Sequence, residues 1–337
     1  MQIDVKFSEQ QYRQIVFFLR KRPFYKKHTF ELKCWKFCCK GIKKRSKALK
    51  LDKNLFSKKY YLCNMIVDLH THTSYSDGML TPDELIVKAH KAEIKAISIT
   101  DHDTVDGNYI AKEIAPKYEM DFITGIELSC FDSQNEYHIL GYCIDIDNED
   151  LHKHLAAFKQ SRIERAEIMT QRLNKMGIGI DFNDVLLKAG EAPIARPHIA
   201  QVIVESGYVS TTKDAFNLYI GDGGPAYAVK AIFQVEKAIK LINNAGGIAV
   251  IAHPGYFINQ KKLLQFIEAG LDGIEVHHPL HSEKLRKEYH IIASQYWLLE
   301  TGGSDFHGNR PNEKELFGTE GVSLEVVNQI RKRCKQI

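Results

Sequence analysis

Long apolar runs are missing from this 337-residue chain. No stretch approaches the ~18 to 20 consecutive apolar residues that a membrane-spanning helix needs, which argues against a spanning protein. Paired cysteines are missing as well. The seven cysteines include no CxxC pair and follow no secretory segment, so they read as reduced thiols of a cytoplasmic chain and not as a disulfide framework. A zinc knuckle built on Cys34, Cys38 and Cys39 lacks a fourth ligand at workable spacing. Internal repeats and low-complexity segments are also absent. With 44% hydrophobic and 26% charged residues, the composition suits a globular protein with material for one large core or two smaller ones.

Acidic residues are scarce in one region only. Residues 1–64 hold 18 Lys+Arg and 4 Asp+Glu, so the formal net charge of +4 conceals a basic leader of +14 joined to a body of −10. The leader reads as an extension outside the fold, and a start codon chosen upstream of Met65 is the simplest account of it. A phosphate-neutralising arm and a presequence are the alternatives, although an apolar core followed by a small-residue cleavage site is lacking.

From Met65 onward, short β-rich runs alternate with helical patterns. Strands are expected at Met65–Leu69, Ala96–Thr100, Phe122–Ile126, Tyr137–Asp145, Gly247–Ala252, Gly273–His277 and Leu298–Thr301. Thr81-Pro82-Asp83-Glu84 opens a helix with an N-cap, a first-turn proline and early acids. Such alternation argues for a parallel sheet or barrel. Strand signals stop between about residues 148 and 228, where His152–Met176 has helical periodicity and ends at Gly177. The organisation is therefore a barrel of residues 65–147 and 229–337, interrupted by a helical subdomain at 148–228. Gly221–Gly224 lacks the Lys-Ser/Thr of a phosphate loop and reads as a turn.

Imidazoles and carboxylates gather just after the apolar strand cores, where an α/β barrel builds its site. His70 and His72 stand two apart, so both rings leave one side of a strand. Asp77, Thr100-Asp101-His102-Asp103, Glu127, His138, His253, and Asp305 with His307 follow at successive strand ends. So many carboxylates and imidazoles brought together would be costly to bury without a counter-charge, and divalent cations supply it. Donors of this kind, without thiolate, suit Mn, Fe or Zn better than Ca. Glu275 and His277 share a strand face and can approach the site, whereas His277, His278 and His281 are expected in supporting or surface positions.

In order, HTHTSYSDG, TDHD, GIELS, HILGY, AHPG and SDFHG resemble the motifs of the polymerase and histidinol phosphatase (PHP) superfamily, over about residues 65–310. The resemblance implies an α/β fold, a distorted seven-stranded (β/α) TIM-like barrel, with a trinuclear metal centre. By that pattern the ligands are His70, His72, Asp77, His102, Glu127, His138, His253, Asp305 and His307, with Glu127 bridging. Ser161-Arg162-Ile163-Glu164-Arg165-Ala166 and Ala195-Arg196-Pro197-His198 resemble the stand-alone branch of nucleotide bisphosphate phosphatases and RNase AM-like 5′-to-3′ exoribonucleases. There the insertion covers the metal face, which assigns substrate binding to Arg162, Arg165, Arg196 and His198.

The expected activity is metal-dependent phosphoester hydrolysis with two or three divalent cations, Mn first. A hydroxide held between metals is the nucleophile, and Glu127, His253 and His307 take part in the chemistry. The expected substrates are 3′,5′-bisphosphonucleotides or short 5′-phosphorylated RNA, because an acidic body disfavours broad attraction of nucleic acid. No membrane and no obligate protein partner are indicated. Histidinol phosphate phosphatase is the alternative enzyme, and a non-catalytic nucleic-acid-binding regulator is the alternative outside catalysis.

Overall fold

The structure, a computed structural model, describes residues 66–334 apart from 133–134, 191, 257 and 311–312; the basic extension expected over 1–64 lies outside the described residues. Strand β1 (Ile66–Thr71) buries all but its first residue. Helix α1 (Pro82–Lys91) begins on a capping box: the Glu84 amide donates to the Thr81 hydroxyl, and the Thr81 amide donates to the Glu84 carboxylate. Strand β2 (Ala96–Ile99), α2 (Asp106–Ile114), β3 (Asp121–Phe131) and β4 (Glu136–Tyr142) follow.

No strand occurs among the described residues between β4 and residue 248. Helix α3 (Glu149–Lys175) starts at Asn148, whose side chain accepts from the Leu151 amide. Helices α4 (Phe182–Ala189) and α5 (Arg196–Glu205) and the single turn α6 (Thr212–Ala215) come next. Their apolar faces meet in a cluster of buried residues drawn from 166–228 alone, among them Met169, Leu173, Val185, Ile199 and Ile203. Helix α7 (Val235–Asn244) then leads to β5 (Ile248–Ile251), α8 (Gln260–Ala269), β6 (Gly273–His277), α9 (Glu283–Tyr296) and β7 (Leu299–Gly302). The turn α10 (Glu313–Leu316), β8 (Val322–Ser323) and α11 (Leu324–Cys334) complete the described chain.

The strands form one sheet in the order β7-β6-β5-β4-β3-β2-β1-β8. It curls into a nearly closed TIM-like barrel, to which the two-residue β8 adds an eighth strand, antiparallel on β1. Across the seam between β7 and β1, the Ser304 amide and hydroxyl donate to Asp68 at 3.0 and 2.6 Å. Gly303 permits this approach, since a Cβ there would lie 2.4 Å from the His70 backbone nitrogen.

Strand direction departs from a uniformly parallel series. β1, β2 and β3 run parallel, as do β5, β6 and β7, but β4 is antiparallel to both β3 and β5. The cause is local. Only residues 132–135 separate β3 from β4, and a parallel crossover needs about a dozen or more. The hairpin has a consequence for the site: the start of β4, and not its end, lies at the rim reached by the ends of its neighbours.

Candidate metal centre

Glu127 is fully buried in the middle of β3, and its two oxygens divide five imidazoles between them. Oε1 lies 2.9 Å from His138 Nδ1 and 3.1 Å from His253 Nε2. Oε2 lies 3.1 Å from His70 Nε2, 3.2 Å from His72 Nε2 and 3.4 Å from His102 Nδ1. The rings reach this point from four strands. His70 is the last residue but one of β1 with His72 just beyond the strand, His102 follows β2 and bridges to Glu127, and His253 follows β5. His138 is the third residue of β4 and arrives because that strand is reversed.

Asp305 Oδ1 faces His72 Nε2 at 3.2 Å and His70 Nε2 at 3.4 Å. Asp77 Oδ1 lies 3.1 Å from His307 Nε2 and 3.7 Å from His72 Nδ1. The donor atoms fall into four overlapping groups: His72, Asp77, His102 and His307; His70, His278 and Asp305; His70, Glu127 and His253; and His102, Glu127 and His138. Within each group, the atoms lie within 4.8 Å of one another. All nine residues expected as ligands are thus brought together, with Glu127 common to two groups.

A cation fits this donor set better than hydrogen bonding alone. Two carboxylate oxygens cannot satisfy five converging rings, and His72 Nε2, His102 Nδ1 and His138 Nδ1 are buried with no hydrogen-bond partner. The electrostatics describe the same deficit. Burial pushes the His72 pKa down, but Asp305 and Glu127 outweigh it and hold the ring up at about 10. Burial likewise opposes protonation of His138, and Glu127 raises it to about 9. His102, for which burial dominates, falls to about 3. Burial would raise Glu127, yet His102, His70 and His138 hold it well below the ordinary carboxylate range. The carboxylates of the cluster draw positive charge, and protons and divalent cations compete to supply it.

Backbone strain marks the same rim. Asp103, His253 and Asp305 adopt positive φ values of 55°, 25° and 51°. Non-glycine residues rarely do so without surrounding contacts that impose it. Asp103 is held by the amide and hydroxyl of Ser129, both at 2.9 Å. The His253 amide donates to Glu275 Oε2 at 2.7 Å.

Glu275 does more than approach the site. Its Oε1 lies 2.9 Å from His70 Nδ1, an arrangement that turns the Nε2 lone pair inward and raises the basicity of the ring. The register of β6 on β7 shifts between Glu275 and His277, so the two do not share the role that simple alternation suggests, and Glu275 alone of the pair contacts the centre. His278 is buried against His70 and His253, whereas His281 hydrogen-bonds through Nδ1 to Val276 O and through Nε2 to the Gly255 amide. Arg310, which the motifs do not single out, donates from Nη1 to Asp305 Oδ2 at 2.8 Å and from Nη2 to His307 Nε2 at 2.7 Å.

The residues expected to bind substrate sit in the insertion with partners of their own. Arg162 pairs with Asp103 at 2.7 Å and donates to Ile194 O. Arg165 Nε donates to Ala228 O, and Arg196 pairs with Asp222 at 2.6 Å. Both guanidiniums lie over the Tyr227 ring, at 5.5 and 5.6 Å. The His198 pKa is lowered, chiefly by burial, with Asp77 opposing and Arg162 adding to the shift, and its Nδ1 accepts from the Ala195 amide at 3.2 Å. Lys230, absent from the sequence expectations, pairs with Glu136 at 2.5 Å and lies 4.9 Å from the Phe131 ring centroid. Among the described residues, no helix is long and apolar enough to cross a membrane.

Comparison with known proteins agrees with this geometry. The PHP domain family model matches residues 68–176. The 5′-3′ exoribonuclease Rnm of Salmonella typhimurium is 33% identical over 72% of this chain and 85% of its own length. The 3′,5′-nucleoside bisphosphate phosphatase of Chromobacterium violaceum is 33% identical over 76% of this chain and 92% of its own. A crystal structure assigned as a metal-dependent phosphoesterase from Bifidobacterium adolescentis matches with a TM-score of 0.71 at 31% identity, covering 80% of this chain and 96% of that one. With the motifs, the barrel and the donor cluster in agreement, this chain belongs to the PHP family of metal-dependent phosphoesterases.

Proposed function

We propose that the chain hydrolyses phosphate esters of nucleotides, either 3′,5′-bisphosphonucleotides or short RNA carrying a 5′-phosphate, with two or three divalent cations of which Mn is the best candidate. The observation that carries this reading is the convergence of five imidazoles on the buried Glu127 carboxylate. The nine residues His70, His72, Asp77, His102, Glu127, His138, His253, Asp305 and His307 are the proposed ligands. Cations bound there supply Lewis acidity toward phosphate oxygens and a nucleophilic water near neutral pH.

The remaining steps belong to the protein. Glu275 holds His70 Nδ1, so that Nε2 faces Glu127. The Asp305 carbonyl accepts from His307 Nδ1 at 2.8 Å, leaving the Nε2 lone pair toward Asp77. His253 and His307 are the two candidates for passing a proton to the leaving oxygen. Residues 148–228 act as a cap in this reading. Arg162, Arg165, Arg196 and His198 then bind the substrate phosphates and stabilise charge on them. The nucleotide relatives, which cover most of this chain, support that choice of substrate.

The test is phosphate release from adenosine 3′,5′-bisphosphate, a 5′-phosphorylated oligoribonucleotide and histidinol phosphate, each with Mn added. Turnover of either nucleotide substrate supports the reading. Turnover of histidinol phosphate alone replaces the substrate while leaving the metal chemistry in place.

A further inference from the structure

His278, just beyond β6, contributes to one of the four donor groups together with His70 and Asp305. Its hydrogen bonding excludes the role that this membership suggests. The Leu280 backbone amide donates to His278 Nδ1 at 3.1 Å, so the Nδ1 lone pair is in use and the proton of the neutral ring sits on Nε2. A nitrogen carrying a proton has no lone pair for a cation. His278 Nε2 is nonetheless aimed at the centre: it is buried, completes no hydrogen bond of good geometry here, and lies 3.4 Å from Asp305 Oδ2, within a small rotation of completing one. Donors left unpaired at this depth are costly and uncommon.

The two oxygens of Asp305 explain what this donor serves. Oδ1 faces His70 and His72 inside the cluster, while Oδ2 points the other way, toward His278 Nε2 and Arg310 Nη1. The adjoining backbone gives Asp305 little support, because its φ of 51° is one that non-glycine residues seldom hold unaided. Arg310 is partly exposed, and its second amino group occupies His307 Nε2, a nitrogen assigned above to a cation. Of the two donors that face Oδ2, the imidazole is the buried one and the one with no contact to His307.

We infer that His278 is a positioning residue and not a tenth ligand: its Nε2–H holds Asp305 Oδ2 and thereby presents Oδ1 to the cation site. This rests on the proposed metal centre and adds to it a division of labour among histidines that donor proximity alone does not reveal. The imidazole acts through Asp305 and need not touch the substrate.

The experiment compares wild type, His278→Gln and His278→Phe, with His70→Ala as the control for a ligand. Each is loaded with Mn, and metal content per chain and Mn retention against a competing chelator are measured after circular dichroism has shown native folding. Glutamine keeps an N–H near the position of Nε2, so His278→Gln is expected to hold the full wild-type complement with retention within a few-fold. His278→Phe, which fills the space without a donor, is expected to bind Mn about ten- to a hundredfold more weakly at one site, the range found when partners of metal ligands are removed. His70→Ala is expected to lose metal outright. Loss of one equivalent from a folded His278→Gln would make His278 a ligand and overturn the inference, as would wild-type retention by His278→Phe. A folded wild type that binds no Mn would instead overturn the metal centre itself, which keeps the two failures distinct.

Discussion

The barrel rim and the helical insertion are both rich in functional side chains, yet they hold them in different ways. At the rim, the side chains come from strand ends, are mostly buried, and meet at one carboxylate on β3 from β1, β2, β4 and β5. Each position is over-determined by strand pairing, by hydrogen bonds to neighbouring ligands and by partners such as Glu275 behind them. In the insertion, the basic residues lie on α3 and at the start of α5, and each has found a nearby acceptor: Asp103, Ala228 O or Asp222. A site built on a sheet is fixed before its ligand arrives. A site built on helix faces keeps long side chains that can exchange one partner for another.

If that contrast holds, damage at the rim should be large and should appear in metal content as well as rate. The strongest case is Glu127→Gln, which keeps the shape and removes the charge shared by five imidazoles. We expect a fall in kcat of about 10³-fold or more, on the scale of losing a principal charge stabiliser of the transition state. Bound metal measured on the same protein should fall with it. Removing metal from wild type with a chelator should match the loss, and adding Mn back should restore wild type but not the variant. A Glu127→Gln enzyme with full metal and full turnover would erase the distinction between the two regions.

The rim was largely legible in the sequence for a physical reason. Alternation with period two makes His70 and His72 point one way, and apolar runs such as Ile248–Ile251 mark where a strand stops and its site begins. The reversal of β4 was not legible: the expected strands at Phe122–Ile126 and Tyr137–Asp145 left ten residues between them, and only the extension of β3 to Phe131 shortens the connection to four and forces a hairpin. What else stayed hidden depended on contacts distant in sequence. Glu275 reaches His70 across 205 positions, and the register shift that separates it from His277 leaves no local signature. Arg162 and Arg165 were recognisable as neighbours on one helix face, but nothing in the sequence tells that Asp103, 59 residues away, already holds one of them.

That pairing supplies the next test. Arg162→Ala removes a largely buried ion pair, with side chains 13% and 3% exposed, and leaves Asp103 with only the amide and hydroxyl of Ser129. The expected cost is about 3 kcal/mol of stability, the lower end for breaking a buried pair by deleting one partner, read from denaturant unfolding. If Arg162 also binds phosphate, KM for adenosine 3′,5′-bisphosphate should rise by about tenfold or more, one charge-assisted contact being worth about 1.5 to 3 kcal/mol. Metal content should not change. A destabilised variant with unaltered KM would assign Arg162 to fastening the insertion to the rim and nothing else.

Arg196 separates these two duties most cleanly, because its partner is weak. Asp222 is 81% exposed and the guanidinium 26% exposed, so their ion pair is screened and worth at most about 1 kcal/mol. Arg196→Ala should therefore shift the unfolding midpoint little, while lost packing against Tyr227 and Phe216 adds a modest further term. Asp222→Asn offers the matching control. It frees the arginine without removing it, so KM for the bisphosphonucleotide should rise several-fold in Arg196→Ala and stay level or fall in Asp222→Asn. Equal effects from the two variants, in either direction, would mean that the pair acts as a unit of structure and that the insertion is as fixed as the rim.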